Sequence, residues 1–179
     1  GSLPEDVPAD IYARLAREAS ERGVPFLVDC PGEALLAALS HRPDIVKLNW
    51  EESEATFGVR AGSLEQLASA AAEIVRDYRI RNLVLTCAAD GVLALTQEGQ
   101  FHALAPVQEV VNAAGAGDAV SSALAWRLSL GDPWPEALRW AAACAAAVVR
   151  TEGTADCRWA DVLALLPMVA VQGGPRSVG

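Results

Sequence analysis

A chain of 179 residues with 52% hydrophobic and 21% charged residues has the composition of a globular protein and the length for one domain with its own core. Its formal net charge of -9 argues against nucleic acid as a partner, because neutralising phosphates needs a basic surface. The longest apolar stretch, residues 140–149, falls well short of the roughly 20 residues that cross a bilayer, and the first residues lack the basic start and apolar core of an export signal, so no membrane partner and a cytoplasmic location are predicted.

Ile11, Leu15, Ala16 and Ala19 recur at helical spacing and Gly23 follows as a stop, which predicts a helix over residues 8–22. Residues 24–29 form a short apolar run of strand type, 33–40 a helix, and 44–49 a second strand. Ser63 with Gln66 predicts a capping box ahead of Leu64, Leu67, Ala68, Ala71, Ile74, Val75 and Tyr78, which line one face of a long helix. Residues 82–87 are the next strand. Strands alternating with helices predict parallel β-α-β units and an α/β class. Residues 92–96 and 101–105 predict a hairpin, hence a mixed sheet edge.

The last third reads as helical: residues 115–130 closed by Gly131, residues 135–150 with Pro135 in the first turn, and a short helix over 159–169. One domain over residues 1–170 and a disordered tail over 171–179 are expected. The chain opens almost directly on a helix, without a strand and ligand-binding loop ahead of it, so an amino-terminal part is expected to be missing. Cys30, Cys87, Cys144 and Cys157 lie apart with no C-x-x-C pair, and His41 and His102 lack neighbouring ligands in sequence, so neither a redox pair nor a cysteine or histidine metal cage is predicted.

The segment that carries chemistry is residues 111–120, VNAAGAGDAV, placed after a strand-like run and opening a helix. Glycines let consecutive amide N–H groups turn toward one point, and the helix start adds partial positive charge, a combination that suits a transferring phosphoryl group. Asp118 just inside that turn is placed to take a proton from an attacking hydroxyl. The same residues also suit an ordinary tight turn with Asp118 at a helix start. The two commonest nucleotide loops are excluded: no G-x-x-x-x-G-K-[ST] occurs, and Val120 occupies the last glycine position of G-x-G-x-x-G. Asn49, Glu51 and Glu52 lie in residues 49–52 at the end of the strand run Ile45 to Leu48, where an open parallel sheet places ligands. They fit either magnesium held through water or the capping of a helix.

Asn49-x-x-Glu52 followed by Gly115-Ala116-Gly117-Asp118 resembles the two hallmark motifs of the PfkB/ribokinase family. Residues 2–4 (SLP), Asp29-x-x-Gly32-Glu33-Ala34-Leu35 and Lys47-x-Asn49 resemble its hexose-phosphate branch, the 1-phosphofructokinase and tagatose-6-phosphate kinase type. The resemblance implies a ribokinase-like open, mostly parallel β-sheet flanked by helices, with the amino-terminal part and lid missing. It implies ATP-dependent phosphoryl transfer to a hydroxyl of a phosphorylated ketohexose, with Asp118 as the base, the amides of Ala114, Gly115, Ala116 and Gly117 as the anion hole, and Glu52 organising Mg2+ with Asn49. Thr86, Ala88 and Gly91 resemble a T/S-x-G-x-x-G loop near the nucleotide, with Ala88 where its first glycine is expected, and residues 151–154 resemble the wall of the adenine pocket. A homodimer, or pairing with an amino-terminal half, is implied as well, and this portion alone is expected to be inactive. A ribokinase-like or nucleoside kinase of the same family, and a noncatalytic nucleotide-binding module, are the alternatives.

Overall fold

The computed structural model describes residues 3, 4 and 6–174, so Ser2 of the SLP stretch and residues 175–179 of the expected tail lie outside the described residues. The chain divides into two compact units. The first holds residues up to 86 together with 94–97, and the second holds 87–93 and the residues from 98 onward.

The first unit runs α1 (Ile11–Glu21), β1 (Leu27–Asp29), α2 (Gly32–Leu39), β2 (Ile45–Asn49), α3 (Trp50–Phe57), α4 (Leu64–Asp77) and β3 (Leu83–Thr86), the alternation read from the sequence. β1 lies parallel to β2, with Asp29 opposite Lys47, and β2 parallel to β3, with Asn49 opposite Thr86. Residues 94–95 of β4 (Val92–Leu95) come next in the strand order. Val46, Leu48, Leu83, Val84 and Leu85 are all buried, as continuous apolar strands of a parallel sheet with both faces covered must be. Leu67, Ala71, Ile74 and Val75 form the buried stripe of α4. Ser63 caps that helix by accepting the Gln66 N–H at 3.2 Å, but Gln66 Oε1 takes the Gly62 N–H at 2.7 Å instead of that of Ser63. Only half of the predicted capping box forms, because the long Gln side chain reaches one residue further back.

The second unit contains residues 92–93 of β4, β5 (Gln100–Leu104), α5 (Ala116–Ser129), α6 (Trp134–Val148), α7 (Trp159–Leu165) and β6 (Ala170–Gly174), with strand order β4-β5-β6. The small residues Ala137, Ala141, Ala142, Ala143, Ala146 and Ala147 are buried along α6, so α5 packs closely against it. Trp126, Trp140 and Trp159 cluster on these helices with Trp140 and Trp159 stacked at 5.5 Å, and the Arg127 guanidinium lies over Trp126 and Trp140.

Two expectations for the carboxy-terminal end are corrected. The helix predicted over 159–169 stops at Leu165 and gives way to a 3₁₀ turn, Leu166–Met168, because Pro167 has no N–H to continue the ladder. Residues 171–174, read as disordered, belong to β6, which runs antiparallel to β5 from Ala170 opposite Leu104 to Gly174 opposite Gln100. Gly173 has φ +118, and a Cβ there would lie 2.0 Å from the Gln100 carbonyl oxygen. The glycine that suggested disorder is what allows the strands to meet.

Candidate active site

In the first unit, the carboxyl ends of β2 and β3 bring Asn49 and Thr86 side by side. Asn49 then starts α3 with a complete capping box: its Oδ1 accepts the Glu52 N–H at 2.7 Å, and Glu52 Oε2 accepts the Asn49 N–H at 2.8 Å. Both predicted magnesium-site residues therefore carry a structural role. Glu52 keeps its second oxygen, Oε1, without a hydrogen-bond partner among the described residues. Beside them, Lys47 Nζ lies 3.0 Å from Asp29 Oδ2 with side chains only 6% and 18% exposed, a pair removed from water that needs its close contact to be tolerated. Burial pushes the neighbouring Cys30 thiol up to about 11, and the Asp29 and Glu52 carboxylates add to the effect. Among the described residues no three His, Cys, Asp or Glu side chains group as a metal cage.

In the second unit, the loop of residues 87–91 is a 3₁₀ turn closed by Asp90 N–H to the Cys87 carbonyl (2.9 Å) and Gly91 N–H to the Ala88 carbonyl (3.1 Å). Gly91 has φ +82, and a Cβ there would lie 2.2 Å from the Ala103 carbonyl oxygen. Ala88 also lies in the left-handed region, with φ +48. The position where the resemblance expects glycine thus has a glycine-type backbone with a methyl group on it. The His102 Nε2–H donates to the Asp90 carbonyl, which fixes that ring's tautomer and holds the loop against β5.

The residues around the start of α5 form the other part. Gly115, at φ +85, is the N-cap, and a Cβ on it would lie 2.3 Å from the Ala155 backbone nitrogen, so no other residue fits that turn. Two of the four amides predicted for the anion hole are engaged inside the protein. The Ala114 N–H donates to Asn112 Oδ1 at 2.9 Å, and the Ala116 N–H to the Ala113 carbonyl at 3.2 Å. The amides of Gly115, Gly117 and Asp118 have no acceptor among the described residues. Asp118 sits in the first turn of α5, exposed, and its carboxylate has no partner among the described residues. An unused carboxylate beside unused amides at a helix start is a place where an anion can be bound and a proton accepted.

Asn112 and Ala155 were not singled out in the sequence. An Asn two residues ahead of a peptide N–H is an Asx-turn signal, and it was legible. Ala155, left-handed at φ +53, gave no such signal.

The fold is of the ribokinase type. The chain belongs to the pfkB family of carbohydrate kinases, whose profile matches residues 1–161. It is 31% identical over 173 residues to the 1-phosphofructokinase of Bacillus subtilis (strain 168), covering 96% of this chain and 55% of that protein. It is 33% identical over 157 residues to the D-tagatose-1-phosphate kinase of Bacillus licheniformis, covering 87% and 51%. Among solved structures, phosphofructokinase-2 from Escherichia coli in complex with substrates and products matches at TM-score 0.84 and 27% identity, over 93% of this chain and 54% of that one. Arabidopsis thaliana ribokinase complexed with ribose and ATP matches at TM-score 0.77 and 26% identity, over 92% and 55%. The chain spans about half the length of the curated relatives it matches.

Proposed function

We propose that the protein transfers the γ-phosphoryl group of ATP to a hydroxyl of a phosphorylated ketohexose. The observation that carries this reading is the unengaged Asp118 carboxylate beside the unengaged amides of Gly115, Gly117 and Asp118. In the proposed step the substrate oxygen bonds to the γ-phosphorus as the bond to the β-phosphate oxygen breaks. ADP leaves with that electron pair, and the hydroxyl proton passes to Asp118. The amides donate to the phosphoryl oxygens, where charge accumulates, which is how positioning and electrostatics carry phosphoryl transfer. Ala88 and Gly91, with Thr86, would hold the nucleotide, and Asn49 and Glu52 would hold its magnesium, which would supply charge neutralisation on the phosphates. Relatives named as 1-phosphofructokinase, D-tagatose-1-phosphate kinase and ATP-dependent 6-phosphofructokinase isozyme 2 support a phosphorylated ketohexose as the acceptor class.

The test is Asp118→Asn in the whole protein. The amide keeps the size of the side chain but cannot take the proton, so turnover should fall at least about 100-fold with little change in nucleotide affinity. Turnover close to that of the unsubstituted protein would remove Asp118 from the mechanism.

A further inference from the structure

The loop that opens α5 does not hold its shape by itself. Its backbone is tied to residues 149–155 by three bonds: the Val111 and Asn112 N–H groups both donate to the Val149 carbonyl (2.8 and 3.2 Å), and the Ala155 N–H donates to the Ala114 carbonyl (3.1 Å). The Asn112 side chain makes two further bonds, one within the loop and one to Glu152. Oδ1 accepts the Ala114 N–H at 2.9 Å, and Nδ2 donates to the Glu152 carbonyl at 3.0 Å. The amide orientation is determined, since the reverse would set NH2 against N–H and oxygen against carbonyl. Only an amide meets both demands at this reach. Aspartate has no donor, and a serine hydroxyl is too short to span from its own turn to a strand of chain forty positions away.

We infer that Asn112 is a positioning residue for the phosphate-binding loop. By taking the Ala114 N–H it fixes that peptide, which sets the direction of the next turn and leaves the Gly115 and Gly117 amides for an anion. By holding Glu152 it locks the loop to residues 149–155, so that the two segments move together. Gly115 shows how tight the fit is, since its Cα has no room for a methyl beside Ala155. The inference rests on the phosphoryl-transfer reading only for the identity of the anion.

Two variants of the 179-residue chain test it, Asn112→Ala and Asn112→Asp, each followed by amide hydrogen exchange and by titration with ATP-Mg. Asn112→Ala removes both bonds, so exchange at Ala114 and Ala155 should accelerate by about tenfold, the equivalent of one net hydrogen bond, and ATP-Mg affinity should fall several-fold. Asn112→Asp keeps the acceptor for Ala114 but turns an oxygen on the Glu152 carbonyl, so Ala155 should accelerate while Ala114 stays protected. The Ala103 amide, buried in β5 and part of none of these bonds, reports general loosening. Unchanged exchange at Ala114 and Ala155 in Asn112→Ala overturns the inference, and so does acceleration that includes Ala103 to the same degree. If the unsubstituted chain takes up no ATP-Mg while the exchange pattern appears as expected, the nucleotide reading fails and the role of Asn112 stands.

Discussion

At the scale of single residues, Gly115 and Ala88, both at positive φ in the candidate nucleotide loops, differ in what they tolerate. Gly115 meets the Ala155 backbone with no space for a Cβ, whereas Ala88 holds its methyl at φ +48 on the exposed side of its turn. A left-handed non-glycine residue costs about 1–2 kcal/mol, and restoring glycine gives back about 0.4–1 kcal/mol through the freer unfolded chain. Ala88→Gly should therefore stabilise the protein by about 0.5 kcal/mol, read as a higher midpoint in urea with unchanged slope; a lower midpoint would mean that the turn is not strained. The turn at Gly115 was readable because glycine requirements are local, whereas Asp118 fitted an ordinary helix start as well as a base. The bond from Asn112 to Glu152 was not readable, since Glu152 is forty positions away. The backbone at Ala88 was not readable either, because an alanine carries no mark of a left-handed turn.

At the scale of elements, helix α3 joins structure to chemistry. By sequence Asn49 and Glu52 fit either a cap or a magnesium site, and the capping box forms in full. It leaves Glu52 Oε1 available, so the two roles are separable by substitution. Glutamine at the third helical position preserves a capping box, so Glu52→Gln should leave the melting temperature within about a degree, well under the effect of 1 kcal/mol. The magnesium needed for half-maximal activity of the whole protein should rise, because a charged partner of the ion is gone. Asn49→Ala, by contrast, removes the cap itself and should cost about 1 kcal/mol. If Glu52→Gln melts early and its magnesium dependence is unchanged, Glu52 is a capping residue only. The alternation of strands and helices in the first unit was legible because apolar runs and amphipathic stripes are written in consecutive residues. β6 was not, since a short strand ending in two glycines has no alternation to read and owes its place to β5 seventy positions earlier.

At the scale of the whole molecule, the candidate residues fall in both compact units: Asn49, Glu52 and Thr86 in the first, Ala88, Gly91 and Gly115 to Asp118 in the second. The division itself was not legible, because it follows from which residues pack together and not from any composition shift or linker. The relatives are about twice as long as this chain, and the proposed reaction needs an acceptor hydroxyl held in line with the γ-phosphate in a site that excludes water. Such positioning supplies about 7–11 kcal/mol of a barrier, and a base and three amides act only on an acceptor that is already in place. We expect these 179 residues by themselves to bind ATP-Mg weakly, through the Gly115 to Asp118 turn, and to transfer no appreciable phosphoryl group to a sugar phosphate. Calorimetric titration with ATP-Mg checks the first statement. A coupled assay with fructose 1-phosphate, fructose 6-phosphate and tagatose 6-phosphate checks the second. Robust turnover of any of the three by the isolated chain would place the acceptor site within these residues, and the division of labour proposed between this half and the rest of the relatives' length would be wrong.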